Sequence, residues 1–169
     1  MIDRIPACSG HTLPELLAML GIAAILAVAA VPVFSNLLLE SRMNATVATA
    51  LHAVNLARQF SATRSEAVSL CGIDAAGGCS GDPDWSAGLV VTAEPRAYRH
   101  RLELAGPARP RLRSNRAILD FEAGTGFATP ATLTICDRRG ARAARAVIVS
   151  RSGRPRSSTR DAADRVLSC

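Results

Sequence analysis

The feature that most constrains this chain is an uninterrupted apolar run near its beginning, LLAMLGIAAILAVAAVPVF, from Leu16 to Phe34. The run contains 19 residues and no charged side chain. As an α-helix it would be about 28 Å long, which is close to the thickness of the hydrocarbon core of a bilayer. We therefore expect a membrane-spanning helix rather than part of a soluble core.

The polar segment before this run argues against an ordinary secretory signal. Such a signal has its small-residue cleavage site after the apolar run. Here a short polar leader, MIDRIPACSG (residues 1–10), and the sequence HTLPELL come first, and Glu15 lies at the edge of the run. Glu15 stands three residues after Thr12, which is the spacing of a helix-capping box. An unpaired carboxylate beside an apolar helix is costly, so Glu15 needs a partner or a position at the headgroups.

The stretch SG-HTLPELLAML resembles the class III signal of type IV pilins and pseudopilins. The resemblance implies that a prepilin peptidase cuts after Gly10, that the new N-terminal residue His11 is methylated, and that the apolar helix is retained. The family usually has phenylalanine where this chain has His11. The resemblance also implies that Glu15 pairs with the amino terminus of a neighbouring pilin subunit during assembly; helix capping alone is the alternative.

The helical pattern continues beyond Pro32, where pilins commonly kink. Apolar residues recur at helical spacing from Val47 to Ala57 and predict an amphipathic helix that packs against a sheet. We expect this helix to end near Val68 to Leu70, before a glycine-containing loop.

From Ser86 onward, short runs of alternating apolar and polar residues replace the helical pattern. They predict strands and therefore an α+β fold, in which a long N-terminal helix, with a membrane half and a domain half, packs on a C-terminal antiparallel β-sheet domain. The turn sequence DRRG, at 137–140, predicts a hairpin between the last two strands. The predicted strands are 88–93, 98–104, 117–123, 131–136 and 144–150.

The C-terminal half resembles the GspH/FimT branch of pseudopilins through two segments, LDFEAGTGFATPATLTICDRRG and VIVSRSGRPR. The branch includes minor pseudopilins of type II secretion and minor type IV pilins. Some of the latter bind DNA during natural transformation through a terminal G-R-x-R element, which corresponds here to residues 153–156.

The charge distribution also points to this end of the chain. Residues 1–94 contain four arginines and eight carboxylates, a net charge of −4, whereas residues 95–169 contain sixteen arginines and six carboxylates, a net charge of +10. Arginine donates planar hydrogen bonds that suit phosphate oxygens. Gly153 and Pro155 predict an exposed turn or loop rather than a strand. A solvated surface is the alternative interpretation. The candidate DNA-binding residues are Arg151, Gly153, Arg154 and Arg156, with support from Arg138, Arg139, Arg142 and Arg160.

Binding through these residues would be directed to the phosphate backbone of DNA. The chain contains one Trp, one Tyr and four Phe, and none of them stands among the terminal arginines, which argues against base stacking. We therefore expect little sequence preference and strong salt dependence.

Four cysteines remain after removal of the leader that contains Cys8, and they permit three disulfide pairings. Their spacing matches no zinc motif, so disulfides in an oxidising compartment are the better interpretation. Cys71 and Cys79 bracket a short loop, and Cys136 with Cys169 would tether the C-terminal tail. We take these as the expected pairs.

No motif in the sequence suggests catalysis, and we expect no enzyme activity, metal or cofactor. The expected partners are DNA, other pilin subunits, prepilin peptidase and the inner membrane. The domain would face the periplasm before incorporation into a pilus at the cell surface. The alternatives are a GspH-type pseudopilin of type II secretion, or an assembly or priming subunit, with a structural role only. The expected regions are the leader (1–10), the membrane and assembly helix (11–34), its amphipathic continuation (35–70) and the globular β-rich domain (71–169).

Overall fold

The computed structural model describes residues 12–93, 98–104 and 109–169, without the side chains of Ala29 and Tyr98. One long helix, α1, precedes eight strands and a short 3₁₀ helix. The elements are α1 (Leu13–Arg64), β1 (Val68–Gly72), β2 (Leu89–Ala93), β3 (Tyr98–Leu102), β4 (Arg111–Ser114), β5 (Ile118–Phe121), β6 (Ala131–Cys136), the 3₁₀ helix (Ala141–Ala143), β7 (Arg145–Val149) and β8 (Pro155–Ser158).

The chain divides into two compact units, residues 1–38 and 39–169. In the first unit, the large apolar side chains of α1 from Leu13 to Leu38 are exposed. By length and composition α1 could cross a membrane. Continuous apolar exposure of this kind marks a surface that contacts lipid or another protein.

In the second unit, α1 contributes a buried stripe of mostly small residues to the core. Small side chains allow a helix to lie close to the layer that it covers. Val54 and Ala57 are buried as predicted, whereas Val47 and Leu51 are only partly buried at the margin of the core. The buried positions of α1 are Leu39, Met43, Thr46, Ala50, Ala53, Val54, Ala57 and Ser61.

The prediction that α1 ends near Val68 to Leu70 was wrong. The helix ends at Arg64, and Ser65 adopts a positive φ of 53°, which is incompatible with continuing a right-handed helix. The residues after it form β1, which is hydrogen-bonded on both sides. Its pairing with β2 and β5, which lie later in the chain, decides its conformation.

Two four-stranded antiparallel sheets complete the second unit, in the orders β3-β2-β1-β5 and β4-β6-β7-β8. One hydrophobic core cluster contains residues of both sheets and of α1, together with the buried Trp85. All five predicted strands are present: β6 has the predicted bounds, and the other four are shorter than predicted. The β6–β7 hairpin is confirmed by antiparallel pairing. β1, β4 and β8 were not predicted.

Strand β8 corrects the prediction of a loop after β7. Pro155 begins β8 and lies opposite Val149, and Arg156 lies opposite Ile148. β8 is an edge strand, and proline is tolerated at the start of such a strand because its missing N–H interrupts no central ladder. The arginine-rich stretch is therefore a hairpin, and only residues 150–154 form its turn.

Candidate nucleic-acid interface

The turn between β7 and β8, residues 150–154, is called the arginine turn below. The Gly153 N–H donates to the Ser150 carbonyl at 2.9 Å, and the Ser150 N–H donates to the Arg154 carbonyl at 3.1 Å. The Ser150 hydroxyl also donates to the Arg154 carbonyl at 3.2 Å. These bonds define one backbone conformation for the turn, so its arginines project from a fixed frame.

Three arginines of this hairpin are exposed: Arg151, Arg154 and Arg156. Among the ion pairs formed by described residues, none includes any of the three. The arginine turn and the first residues of β8 thus carry three guanidinium groups whose charge is not compensated by a described carboxylate.

Gly153 contributes to the conformation of the turn rather than to a contact surface. It is buried and has a positive φ of 71°. A Cβ atom at this position would collide with the Gly126 carbonyl oxygen and lie 3.0 Å from Cδ of Arg58. Glycine is therefore needed here both for its backbone conformation and for the close approach of the loop around Gly126.

Two hydrogen bonds attach the arginine turn to the rest of the second unit. The Arg58 Nε–H donates to the Ser152 carbonyl at 3.2 Å, and the Ala128 N–H donates to the Arg151 carbonyl at 2.9 Å. Arg58 belongs to α1 and is separated from Ser152 by 94 residues. Sequence reasoning gave no signal for this role of Arg58, because the contact depends on how α1 packs.

An exposed aromatic residue also lies next to a residue that is hydrogen-bonded to the turn. Phe127 is 47% exposed and directly precedes Ala128, whose N–H bonds to Arg151. It is far from the arginines in sequence, so only the tertiary fold reveals this proximity.

The supporting arginines behave differently from one another. Arg139 donates to Glu40 at 2.9 Å and to Asp137 at 2.7 Å, and Arg145 also pairs with Glu40 at 3.3 Å. Hydrogen bonds to Asp137 and Glu40 raise the pKa of Arg139. The charge of Arg139 is thus neutralised within the domain, which removes it from the candidate interface.

The pKa of Asp137 is lowered, although burial acts in the opposite direction. Burial raises the pKa of this carboxyl group, but hydrogen bonds from the side chain and backbone of Arg139 and the nearby positive charges outweigh it. Asp137 therefore remains ionised and holds Arg139 in place.

The remaining supporting arginines do not join the arginine turn. Arg138 and Arg142 are exposed, but they lie in the β6–β7 connection, at the other end of β7. A five-residue strand separates the two ends by roughly 15 Å. Arg160 donates to the Asp164 carbonyl at 2.8 Å and lies 3.7 Å from its carboxylate, so its charge is partly compensated.

The structure contains two disulfides, Cys71–Cys79 and Cys136–Cys169. The second joins the last residue of the chain to the end of β6. Leu167 is buried in a small cluster with Ala146 and Ile148 of β7. The C-terminal tail is therefore held against the outer face of the second sheet.

At the start of α1, the Thr12 N–H donates to Oε2 of Glu15 at 3.4 Å, which is one half of a capping box. Gly10 and His11, the predicted cleavage and methylation positions, lie outside the described residues. Within the described part of the chain, no group of three His, Cys, Asp or Glu residues is arranged to hold a metal ion.

A long N-terminal helix with an apolar first half and an antiparallel β-rich domain defines the class of protein: an α+β pilin fold. The type IV minor pilin FimU of Pseudomonas aeruginosa shares this fold, with a TM-score of 0.52, 18% sequence identity and coverage of 73% of this chain and 90% of that chain. A second crystal form of FimU gives a TM-score of 0.47, 20% identity and coverage of 71% and 92%. None of the curated proteins matches the chain by sequence.

The family model described as "Type II transport protein GspH" matches residues 46–153. The chain belongs to the GspH family, and it is a minor pilin or pseudopilin of this type. Association with other pilin subunits and anchoring through an apolar helix are general properties of pilins. The matched region ends at Gly153, so Arg154 and Arg156 lie just beyond it.

Proposed function

We propose that this protein is a minor type IV pilin that binds DNA through Arg151, Arg154 and Arg156 and contributes to DNA uptake in natural transformation. The supporting observation is that three exposed arginines lie within six residues on a fixed hairpin, without an ion pair to a described carboxylate. Guanidinium groups presented in this way suit phosphate oxygens.

The proposed contact is with the phosphate backbone, so it carries little sequence information. If each arginine neutralises one phosphate, the hairpin contributes about 2.7 to the magnitude of the slope of log K against log salt concentration. Its contribution to affinity then falls about 40-fold between 50 and 200 mM salt. A single subunit would bind weakly, and several subunits on one fibre would gain by avidity.

The experiment compares two variants that each lose two positive charges. In Arg154→Gln/Arg156→Gln the charges come from the hairpin. In the control, Arg99→Gln/Arg101→Gln, they come from exposed positions of β3, an edge strand of the other sheet. Binding of the full-length protein in detergent to a fluorescent duplex is measured by anisotropy over a series of salt concentrations.

We expect the hairpin variant to lower the magnitude of the salt slope by about 1.8, while the control has a smaller effect through net charge only. Thermal unfolding, followed by Trp85 fluorescence, should be the same for both variants. An equal loss of binding in both variants would show that overall charge, rather than the hairpin, binds the DNA. No loss in either would contradict the proposal.

A purely structural role in a type II secretion pseudopilus is the second candidate, and the family match favours it. The matched model is that of a type II transport protein, and it covers residues before Arg154 only. A protein with this role would show no specific effect of the hairpin variant.

For assembly, we infer that prepilin peptidase cuts after Gly10, that His11 becomes the methylated N-terminus, and that Glu15 pairs with the N-terminus of a neighbouring subunit. The resemblance of the N-terminal motif to pilin signals supports this inference. The position of Glu15 in the first turn of α1 also supports it, because a carboxylate there lies four residues from the new terminus. The helix would hold the subunit in the inner membrane, with the domain in the periplasm, before assembly.

A further inference from the structure

A groove of about 1000 Å³ lies on the second sheet, between its β4 edge and the C-terminal tail. β4 and β6 form one side through Arg111, Arg113 and Thr134, and the tail forms the other side through Asp161 and Arg165. The Cys136–Cys169 disulfide and the burial of Leu167 fix the tail in this position. The groove is therefore a permanent feature of the second unit rather than a gap left by a loose terminus.

The groove is strongly basic. Five arginines and two aspartates line it. Both aspartates are already bonded: Asp137 to Arg139 at 2.7 Å, and Asp161 to Arg165 at 2.7 Å. The arginines of the lining that form no ion pair with a described residue are Arg109, Arg111, Arg113 and Arg138.

Asp84 is the carboxylate whose charge acts on both Arg111 and Arg113. Its Oδ1 atom accepts hydrogen bonds from the Ser86 N–H at 3.0 Å and from the Ser86 hydroxyl at 2.6 Å. These Ser86 bonds are the main cause of the lowered pKa of Asp84, and the charges of the two arginines add to them. No ion pair joins Asp84 to either arginine among the described contacts, so both guanidinium groups keep their donors available.

Strand register places the groove on the same face of the sheet as Arg156. Leu112 and Ser114 of β4 are buried, so Arg111 and Arg113, which alternate with them, point to the opposite face. Across the sheet, Arg113 lies opposite Thr134 of β6, and Thr134 lies opposite Ala146 of β7.

The line of directly opposite residues that begins with Arg113 and Thr134 ends at β8, where Ser158 lies opposite Ala146. Arg156, two residues before Ser158, therefore points to the same outer face. Three interstrand spacings, about 14 Å, separate β4 from β8. The outer face thus carries two sets of arginines, one at each edge.

The chemistry of the groove fits a phosphate backbone. Its lining contains no aromatic side chain, but Asn115, Thr132 and Thr134 supply neutral hydrogen-bonding groups beside the arginines. Polar side chains of this kind, together with arginines, are the usual partners of DNA phosphate and sugar. Arg113 and Arg111 are offset from Arg156 by two and four residues along the strands, so the two arginine sets are roughly 16–20 Å apart. This separation is of the same order as that of the two backbones that flank a major groove about 12 Å wide.

We propose that the β4 edge of this groove, through Arg111 and Arg113, is a second binding segment for the phosphate backbone of duplex DNA. DNA held by the arginine turn and Arg156 would pass over the C-terminal tail, which covers β7 on this face, to reach this edge. The inference rests on the proposed function of the hairpin, because both segments bind the same duplex.

The test uses three double variants of the full-length protein and a duplex of about 20 base pairs, long enough to span the outer face at 3.4 Å per base pair. The variants are Arg111→Gln/Arg113→Gln in the groove, Arg154→Gln/Arg156→Gln in the hairpin and Arg99→Gln/Arg101→Gln as the charge-matched control. Anisotropy gives the salt slope for each variant, and Trp85 fluorescence during heating shows that each remains folded.

We expect the groove variant to lower the magnitude of the salt slope by about 1.8 relative to the wild type, beyond any effect of the control. A variant that combines the groove and hairpin changes should lose about twice as much. Polyglutamate added as a competitor should displace DNA from the wild type and the groove variant with similar potency.

If the groove variant matches the β3 control while the hairpin variant loses binding, the second segment does not exist and the proposed function stands. If the groove variant loses binding and the hairpin variant does not, the proposed hairpin site fails, and a path that joins the two segments fails with it. If polyglutamate competes much less well with the groove variant than with the wild type, the groove binds acidic peptide instead of DNA.

Discussion

Substitution of Gly153 by alanine tests whether the arginine turn is held as the structure describes. Gly153 is buried, has a φ of 71° and faces the Gly126 carbonyl and the Arg58 side chain. An alanine Cβ would collide with the Gly126 oxygen, and this atom belongs to the backbone and cannot rotate away. The turn or the loop around Gly126 would have to move.

The expected loss of unfolding free energy in Gly153→Ala is the sum of two costs. A non-glycine residue in a left-handed conformation costs about 1–2 kcal/mol, and overpacking of a tight site costs about 1–3 kcal/mol. We therefore expect Gly153→Ala to lower the free energy of unfolding by about 2–5 kcal/mol. Gly81 provides the control because it has a similar φ of 68°, but no atom lies within 4 Å of a Cβ placed there. Gly81→Ala should show the backbone cost alone.

Urea denaturation followed by the fluorescence of Trp85 measures both variants. Trp85 is the one tryptophan of the chain and is fully buried in the core, so its signal reports unfolding of the second unit. If Gly153→Ala is no more destabilising than Gly81→Ala, the packing of the turn on Gly126 and Arg58 does not constrain it, and the argument for a fixed arginine frame fails.

Two further predictions concern the ion pair at Asp137 and the N-terminus. Because the pKa of Asp137 is lowered in the folded state, the stability that it contributes is complete above the ordinary Asp pKa of about 3.9 and is lost as the pH falls through its lower folded value. Asp137→Asn should therefore lower the free energy of unfolding by about 1.5–3 kcal/mol at pH 7. The variant should also lose less of this free energy than the wild type as the pH falls below 4. Urea denaturation at a series of pH values measures both effects, and an unchanged dependence on acid pH would show that Asp137 does not contribute. Mass spectrometry of the protein from its native host should show a chain that begins with methylated His11, and an intact leader would refute the proposed processing.

Much of the fold follows from local patterns in the sequence. The uncharged run from Leu16 to Phe34 predicts the apolar half of α1, and alternation predicts five of the eight strands, including β6 and β7. The missed strands have a common cause. β4 (RLRS) and β8 (PRSS) are short and polar, so alternation gives little signal, and β1 directly follows a helical pattern. Their conformations depend on hydrogen bonds to distant strands.

In the candidate interface too, some features follow from the local sequence and others depend on contacts between distant residues. The cluster of Arg151, Arg154 and Arg156 was found from the sequence, because charge density and turn residues are local features. By contrast, the ion pair of Arg139 with Glu40, 99 residues away, and the contact between Arg58 and Ser152 depend on packing.

By itself, the sequence determined that this chain has an apolar N-terminal helix, a β-rich domain and an excess of arginine at its C-terminal end, because hydrophobic period, length and charge are properties of neighbouring residues. Only the tertiary structure decided which arginines are compensated, that Gly153 of the turn is buried against Gly126 and Arg58, and that Arg111, Arg113 and Arg156 share one face. These properties depend on strand register and on helix packing, which bring together residues that are far apart along the chain.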